Sequence, residues 1–369
     1  MKITFILPGS SRHPVGGFKM VFEYANRFAA RGNEVTIVFN CLKGAQRHKK
    51  VPGILREICY KLIIWYYPKW FVLNPKVHKV CAYTGTNNRE IPDADFVCAT
   101  AVGTADDVAN LSINKGKKLY FIQDFENWGG WTDEAVKKTY HLGMTNIVIA
   151  KWLEKIVKDS GADCVLIPNG IDFEVFNIDI PIASREGHTI SMLYHKQEHK
   201  GAKYGIEALK RLKERYPDLE ATLFGVPQRP EDLPQWIHYI QNATQPQLRQ
   251  VYNQSKIYLC PSLKEGFGLT GAEAMACGAA YIASDYGGVH EYAIDGRNVL
   301  LSSPKDVEGL VEHVSYLFDH DDERIKLAQH GYEDIQTLDW NRSVGECKIV
   351  CVNRYCMNLL YAPYWGKQR

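Results

Sequence analysis

Two carboxylates with seven residues between them, Glu265 and Glu273, give the clearest chemical signal in the sequence. They lie in a glycine-rich stretch that follows a short apolar run, residues 257–260, which predicts a buried strand. A helix is predicted to begin near Thr270 and to end at Gly278, because glycine often terminates helices. The order strand, loop, helix places the loop at the carboxyl edge of an open α/β sheet, where ligands bind.

The loop between the two carboxylates suits an anionic ligand. A helix N-terminus favours an anion, and glycines let backbone N–H groups face a ligand without a Cβ in the way: Gly266, Gly268 and Gly271. A structural role is the alternative, because Thr270 and Glu273 have the spacing of a capping box and Glu265 fits a solvated loop charge. The combination of both carboxylates with this glycine spacing favours ligand binding.

The stretch from Glu265 to Gly278, with its tail Glu-Ala-Met-Ala-Cys-Gly, resembles the E-x7-E signature of family 4 glycosyltransferases, which are retaining enzymes with the two-domain GT-B fold. This resemblance implies that Glu273 binds the ribose of a sugar nucleotide. It also implies that Glu265 holds the transferred sugar, together with amides of the neighbouring loop. The donor-binding residues implied for this loop are Glu265, Gly266, Phe267, Gly268, Leu269, Thr270 and Glu273.

An ordinary globular composition, 46% hydrophobic and 23% charged, sets the general class of the protein. The 369 residues are enough for two domains, and a net charge of +2 gives no sign of a nucleic-acid partner. The ten cysteines form no C-x-x-C pair, and no His/Cys cluster has zinc spacing. We therefore expect no metal and no cofactor, and the scattered cysteines fit a reduced, cytosolic setting.

The N-terminal residues predict a βαβ unit with a parallel pair of strands. Its predicted elements are a strand over 3–7, a helix from Phe18 to Arg31 and a strand over 34–39. Gly16 and Gly17 precede the helix, where they suit a phosphate contact, and they resemble the N-terminal glycine loop of the same glycosyltransferase family. A plain loop-to-helix junction is the alternative. A nicotinamide-binding fingerprint is not favoured, because the glycine spacing differs and the second strand ends without an acidic residue.

Residues 43–79 form a basic and aromatic segment, with nine Lys or Arg against one acidic residue. Apolar residues recur in this segment at helical spacing: Ile54, Leu55, Ile58, Leu62 and Ile63. Such a segment can lie in a bilayer interface with its cations on anionic headgroups. The alternative is packing on its own domain with solvated basic residues. No nucleic-acid motif accompanies the segment, so we expect an anionic membrane surface as its partner and no nucleic acid.

The string Gln-Asp-Phe-Glu, residues 123–126, follows a predicted strand over 118–122. Many members of the glycosyltransferase family carry a histidine at the end of this strand, close to the donor sugar, whereas Gln123 stands there in this sequence. The string itself resembles a subgroup of bacterial rhamnosyltransferases that build surface polysaccharides. This resemblance makes Asp124 the ionisable group placed nearest to the reaction. A helix cap or a structural loop carboxylate is the alternative role for Asp124.

A second cluster of candidate donor ligands lies between His195 and Gly201, after a predicted strand over 189–194. Family members usually present an arginine and a lysine here, which grip the diphosphate. Lys200 matches the lysine, and the arginine position holds His195 with Lys196 beside it. The histidines lack a carboxylate or cysteine at ligand spacing, so no metal site is expected here. On a strand over 237–240, Tyr239 is a candidate for stacking on the base, with a core position as the alternative.

These elements predict an α/β protein with the GT-B architecture, in which two Rossmann-like domains with mostly parallel sheets face a central cleft. The predicted N-terminal acceptor domain covers 1–172, closed by Pro-Asn-Gly-Ile-Asp, and residues 173–188 form a linker. The nucleotide-sugar domain covers 189–338. By analogy with GT-B enzymes, a C-terminal helix within 339–369 is expected to cross back to the first domain.

The resemblance covers nearly the whole chain and implies a metal-independent transfer of a hexosyl group, with retention, from a nucleotide sugar to a bacterial cell-surface glycan. The preferred donor is dTDP-L-rhamnose or a UDP-hexose, and the acceptor is expected to be lipid-linked, so that the protein is cytoplasmic and peripheral on the inner face of the membrane. Lys200, Lys196 and helix N-termini would supply positive charge to the leaving group. A GT-B epimerase, or a non-catalytic relative that binds membrane or glycan, is the alternative.

Overall fold

Two parallel β-sheets carry the fold in the computed structural model, which describes residues 1–47 and 52–352. The first sheet has seven strands, here numbered in chain order: Lys2–Leu7 (β1), Glu34–Asn40 (β2), Val77–Ala82 (β3), Phe96–Ala99 (β4), Lys117–Ile122 (β5), Thr145–Val148 (β6) and Cys164–Leu166 (β7). The second has six: Thr189–Leu193 (β8), Glu220–Gly225 (β9), Ile237–Gln241 (β10), Ile257–Cys260 (β11), Ala280–Ser284 (β12) and Leu300–Ser302 (β13).

Both sheets have the strand order of a Rossmann-like domain. The order is β3-β2-β1-β4-β5-β6-β7 in the first sheet and β10-β9-β8-β11-β12-β13 in the second. The central strands are near-continuous apolar runs, as expected for parallel strands that are covered on both faces; every residue of β11 and β12 is buried. The predicted α/β class with two Rossmann-like domains is confirmed.

Helices connect the strands, and their N-termini follow the carboxyl ends of the strands. In the described parts of the chain they are Gly16–Ala30 (α1), Leu42–Arg47 (α2), Gly53–Tyr66 (α3), Val102–Ala109 (α4), Asp133–Thr139 (α5), Lys151–Asp159 (α6), Ala202–Arg215 (α7), Gln245–Gln254 (α8), Leu269–Ala276 (α9), Val307–Asp319 (α10), Asp321–Ile335 (α11) and Trp340–Val352 (α12). The end of the basic segment 43–79 contributes to strand β3 and so belongs to the first sheet.

Helix α1 begins two residues earlier than the sequence predicts. Val15 is its N-cap residue, with an extended backbone at φ −135° and ψ 124°, and the Lys19 N–H donates to the Val15 carbonyl at 2.9 Å. Gly16 and Gly17 therefore form the first turn of the helix, not a loop before it. This difference matters because free N–H groups are found in the first turn of a helix.

Helix α12 packs against the first domain. The ring of Trp340 meets that of Tyr24 edge-on, with 5.0 Å between the centroids, and the guanidinium of Arg27 lies 4.5 Å from the Trp340 ring centroid. The Ser343 hydroxyl donates to the Pro168 carbonyl at 2.7 Å. The remainder of the predicted C-terminal helix, residues 353–369, lies outside the described residues.

Glu126 connects the loop after β5 to the start of α4. Its Oε2 accepts a hydrogen bond from the Val102 N–H at 2.6 Å, which satisfies one of the free donors at that helix N-terminus. Burial raises the pKa of Glu126 to about 7; the Val102 hydrogen bond opposes this increase, and the Asp124 carboxylate adds to it. Folding therefore favours the protonated form of Glu126.

We predict that Glu126→Gln flattens the dependence of stability on pH. The folded pKa lies above the ordinary value of 4.5, so the stability contributed by Glu126 is fully present below about pH 4.5 and is lost as the pH rises through about 7. Glutamine keeps the acceptor and cannot ionise. In urea unfolding, we expect the variant to match the parent near pH 4 and to exceed it by roughly 1–3 kcal/mol near pH 8. Glu134→Gln, at an exposed position of α5, is the control. A Glu126→Gln variant less stable than the parent at both pH values would contradict the raised pKa.

Candidate active site

The glycine loop joins the buried end of β11 to the first turn of α9. Gly268 is the N-cap residue of α9 and has a left-handed backbone, φ 84°. A Cβ on Gly268 would lie 2.0 Å from the Tyr286 hydroxyl oxygen, so a side chain does not fit there. Helix α9 begins at Leu269 without a side-chain cap, which rules out the capping box between Thr270 and Glu273. Glu273 lies in the second turn instead and is buried.

Three tyrosine hydroxyls support this loop. The Tyr292 hydroxyl donates to the Gly268 carbonyl at 2.7 Å, and it lies 2.9 Å from the Tyr286 hydroxyl. The Tyr286 hydroxyl lies 2.9 Å from that of Tyr281. Burial raises the pKa of all three phenols above the usual value, so they stay protonated and can act as hydrogen-bond donors.

Glu273 forms an ion pair with Lys19, which lies on α1 in the first domain. Its second oxygen, Oε2, lies 3.5 Å from the hydroxyl of Tyr252, which donates to it. Burial raises the pKa of Tyr252 well above its usual value, so this hydroxyl keeps its proton. Sequence reasoning missed Lys19, because the pairing joins positions 254 residues apart and depends on how the two domains meet.

Glu265, on the glycine loop, and Lys200, on the loop before α7, come together in the structure. Lys200 Nζ lies 3.4 Å from Glu265 Oε1, and the Ser262 hydroxyl donates to the same oxygen at 2.6 Å. The approach of the two loops depends on Gly201, which has φ 63° and where a Cβ would lie 1.8 Å from the Pro261 carbonyl oxygen. Glycine at this position thus sets the distance between Lys200 and Glu265.

His195 and Lys196 lie on the same loop as Lys200 but differ from it in environment. His195 is half-buried, and its Nδ1 accepts from the Gln197 N–H at 3.1 Å. Burial lowers the pKa of His195, and the nearby Lys200 ammonium lowers it further. Lys196 is exposed. At neutral pH the positive charge nearest to Glu265 in this loop therefore comes from Lys200.

Asp124 and Gln123 lie on the other side of the glycine loop, at the end of β5. A Cβ on Gly266 would lie 2.7 Å from the Gln123 carbonyl oxygen and 3.3 Å from Asp124 Cγ. Burial raises the pKa of Asp124, while the Phe125 N–H at 2.7 Å and the Lys264 ammonium act in the opposite direction. Asp124 is thus a partly buried carboxylate in direct reach of the loop that carries Glu265.

The two glycine-containing segments that the sequence singled out, Gly16–Gly17 and the glycine loop before α9, also lie close together. A Cβ on Gly16 would lie 3.8 Å from Leu269 Cδ1, and one on Gly17 would lie 3.4 Å from the Gln123 side-chain amide. The N-termini of α1 and α9 therefore point into the same region. Each carries free N–H groups and a positive end of a helix dipole, so the region is suited to a phosphate.

Tyr239 is held within the second domain. Its hydroxyl donates to the Pro227 carbonyl at 2.6 Å, and its ring meets that of Tyr194 edge-on with 5.9 Å between the centroids. Burial raises the pKa of Tyr239 to about 12. These contacts fit the core alternative that the sequence left open, and they leave the predicted base-stacking role to be tested.

Two further contacts between the domains involve residues that sequence reasoning missed. The indole N–H of Trp152, on α6, donates to the Gly266 carbonyl at 2.8 Å. Lys264 Nζ donates to Asn127 Oδ1 at 3.2 Å. A lysine directly before Glu265 and a tryptophan at the start of a helix carry no motif, so only the three-dimensional structure brings them to the site.

Comparison with known families and relatives agrees with this geometry. Residues 183–334 match the family model described as glycosyl transferases group 1. Phosphatidyl-myo-inositol mannosyltransferase from Mycolicibacterium smegmatis is 29% identical over 192 residues, which cover 49% of this chain and 50% of that protein. D-inositol 3-phosphate glycosyltransferase from Paenarthrobacter aurescens is 25% identical over 216 residues, covering 52% and 53%. The chain spans about half the length of the curated relatives that it matches.

Solved structures resemble the chain over nearly its whole length. Sucrose-phosphate synthase from Thermosynechococcus elongatus has a TM-score of 0.72 at 16% identity and covers 95% of this chain and 98% of its own. HepE from Anabaena, in complex with UDP-glucose, has a TM-score of 0.70 at 15% identity and covers 95% and 99%. At these identities the likeness shows the shared fold, which is GT-B. The chain thus has the two-domain GT-B fold, and its second domain is the part that matches glycosyl transferases group 1.

Proposed function

We propose that the chain is a retaining glycosyltransferase that moves a hexosyl group from a nucleoside diphosphate sugar to a glycan. The observation that carries this proposal is the meeting of Lys200 with Glu265, 3.4 Å apart, where the loop before α7 approaches the glycine loop that ends at the N-terminus of α9. These groups suit a sugar diphosphate. The cation and the helix N-terminus can bind the phosphates, and the carboxylate can bind the hydroxyl groups of the sugar.

In this proposal Glu273 binds the ribose and Glu265 holds the transferred sugar. The amides of Phe267, Gly268 and Leu269 face the donor at the start of α9, with Gly266 and Thr270 in the same loop. Lys200, assisted by His195 and Lys196, stabilises the negative charge that develops on the leaving diphosphate. The first turn of α1, with Gly16 and Gly17, contributes a second helix N-terminus.

Asp124 is the carboxylate that we place nearest to the transferred sugar, since it lies beside Gly266. Its contact with the donor loop supports a role at the reacting centre over a purely structural one. Closure of the cleft would exclude water and protect the donor from hydrolysis. We propose dTDP-L-rhamnose or a UDP-hexose as donor and a growing bacterial cell-surface glycan, of a capsule or cell wall, as acceptor; the UDP-glucose complex of the Anabaena neighbour supports a uridine nucleotide.

Membrane docking is part of the proposal and is supported by the outer face of α3. Large apolar side chains on this helix are exposed to solvent: Ile54, Leu55, Ile58, Leu62, Trp65 and Tyr66. They recur at spacings of three and four residues and so share one face, while Ile64 is buried against the first domain. Ile54 and Trp65 are 77% and 75% exposed, which is costly in water and favourable in a bilayer interface.

Basic side chains surround this apolar face. Lys61 pairs with Glu57, and Lys69 Nζ lies 3.8 Å from the centre of the Tyr66 ring. Lys49 and Lys50 lie outside the described residues. No helix of residues 1–47 and 52–352 is long and apolar enough to cross a bilayer. The arrangement supports peripheral contact with the inner leaflet, where a lipid-linked acceptor would be within reach. The phosphatidyl-myo-inositol acceptor in the name of the mycobacterial relative is consistent with such a lipid.

The donor assignment predicts different effects for the two carboxylates. Glu273→Ala should weaken binding of UDP, and Glu265→Ala should reduce turnover more than nucleotide binding. The loss of one hydrogen bond to a charged group costs about 1.5–3 kcal/mol, or roughly tenfold to over a hundredfold. Calorimetry with UDP and dUDP sharpens the test: if Glu273 binds both ribose hydroxyls, its removal should weaken UDP more than dUDP.

Glu207→Ala is the control for these variants, because the half-exposed Glu207 on α7 pairs only with Arg211 of the same helix in the described contacts. Calorimetry should find UDP binding unchanged in this variant. If Glu273→Ala and Glu265→Ala also bind and turn over like the parent, the assignment of both carboxylates is wrong.

A second prediction concerns metal dependence. Because Lys200 and the two helix N-termini can neutralise the diphosphate, transfer should continue after dialysis against EDTA. Turnover is measured with and without added magnesium or manganese. Complete loss of activity in EDTA, restored by either ion, would show that a divalent cation supplies the charge.

A third prediction concerns the membrane. Liposome sedimentation should show binding that rises with anionic lipid, since each basic residue near an anionic surface contributes about 1 kcal/mol. Replacing Lys49, Lys50 and Lys61 by Ser should reduce binding mainly at low salt, because salt screens charge with a Debye length of about 10 Å at 0.1 M. Replacing Ile54, Ile58 and Leu62 by Ser should reduce binding at low and high salt alike.

The control is Ile294→Ser, an exposed apolar residue of the second domain that should not affect liposome binding. Arg56 is left unchanged, because its Nε donates to the Tyr83 hydroxyl at 2.6 Å and its loss would disturb α3 itself. Equal sedimentation of parent and variants, or equal binding to neutral and anionic vesicles, would mean that α3 serves only the fold of the first domain.

A further inference from the structure

Glu273, the proposed ribose ligand, is already engaged by a residue of the other domain. The side chains of Lys19 and Glu273 are only 18% and 5% exposed in their ion pair. The second carboxylate oxygen lies 3.5 Å from the Tyr252 hydroxyl. Both oxygens therefore have protein donors, and the carboxylate is closed off from solvent. Because the Glu273 side chain is so little exposed with the ammonium in place, a ribose hydroxyl gains access to the carboxylate when the Lys19 ammonium moves away.

Lys19 lies on α1 and so belongs to the first domain. It is the first of three charged residues spaced by four along α1, followed by Glu23 and Arg27, so the three lie on one face of the helix. Arg27 forms ion pairs with Glu23 and, at 3.0 Å, with Asp172 at the end of the first domain. Glu273 belongs to the second domain. The ion pair therefore joins the first domain to the second.

The pair lies at the base of a small cavity between the domains. This cavity is lined by residues of α1, of the chain crossing at 170–172, of α9 and of α12. Four of its lining side chains are ionisable: Lys19, Glu23, Asp172 and Glu273. A buried ion pair of this kind holds two domains together only while both partners are present, because one partner alone is a buried charge without compensation.

We propose that the Lys19–Glu273 ion pair is a latch between the two domains that competes with the donor nucleotide for Glu273. The identity of the competitor rests on the function proposed above, whereas the latch itself does not. With the latch closed, Glu273 is withheld from the ribose; with the latch open, Glu273 is free to accept the ribose hydroxyls. Nucleotide binding and domain opening are then coupled, and the population of the open form sets the apparent affinity.

Removal of the ammonium tests both parts of this proposal. Lys19→Met keeps the apolar stem of the side chain and removes the ammonium, together with its contact with the Phe176 ring, whose centre lies 5.1 Å from Lys19 Nζ. If the latch is closed in about 70–97% of molecules, its loss tightens UDP binding by about three- to thirtyfold in calorimetry. Without nucleotide, X-ray scattering should show a larger radius of gyration for the variant, because the unpaired Glu273 favours hydration of the interface.

Three variants accompany this measurement. Lys19→Arg keeps the cation and should bind UDP like the parent. Lys19→Gln is a second neutral variant, used in place of Lys19→Met if the latter does not unfold cooperatively on heating. Lys155→Met removes a lysine that is 75% exposed in its pair with Asp159 on α6, and it should change neither UDP binding nor scattering.

Two results would overturn the latch. If Lys19→Met weakens UDP binding by the same factor as Glu273→Ala, the ammonium helps to hold the nucleotide and does not compete with it. Unchanged affinity and unchanged scattering would show that the pair does not hold the domains together. If neither UDP nor dTDP binds to the parent or to any variant, the proposed function fails instead, and the scattering of Lys19→Met against the parent still decides whether the pair is a latch.

Discussion

The carboxyl edges of two parallel sheets face one cleft, and the rest of the site depends on that constraint. The loops after β1 and β5 meet the loops after β8 and β11, which brings Gln123, Gly266 and Leu269 into one region. Because each helix that follows such a strand starts at the same edge, positive helix ends converge there. Lys200 adds a cation to this field, and its ion pair with Glu265 holds that cation in place.

The two domains share one buried apolar cluster, and polar contacts between them add to it. In the described chain these include Trp152 with Gly266, Lys264 with Asn127, and Glu291, which accepts from the Lys151 N–H at 2.7 Å. Breaking the polar contacts is therefore one part of the free-energy cost of moving the domains apart, and uncovering the apolar cluster is the other.

Local patterns in the sequence predicted much of this molecule, and contacts between distant segments account for the remainder. The strand over 257–260 and the glycine that ends α9 were predictable, because burial and helix termination leave marks in a few neighbouring residues. The start of α1 was predicted two residues late, since glycine is a poor helix former and its role in the first turn comes from tertiary packing. Lys19 could not be predicted as a partner of Glu273, because nothing in the sequence around either residue records how the domains approach.

The hydrogen bonds that link the three tyrosine hydroxyls beneath the glycine loop all run in one direction. Tyr292 donates its only hydroxyl proton to the Gly268 carbonyl, so it must accept from Tyr286, and Tyr286 in turn must accept from Tyr281. One backbone carbonyl thus orients three O–H dipoles in series, and such chains polarise one another. The three phenols are uncharged because burial raises their pKa values, so the direction of their hydrogen bonds does not change when nearby carboxylates gain or lose protons. This series of hydrogen bonds holds the backbone of Gly268 in its left-handed conformation.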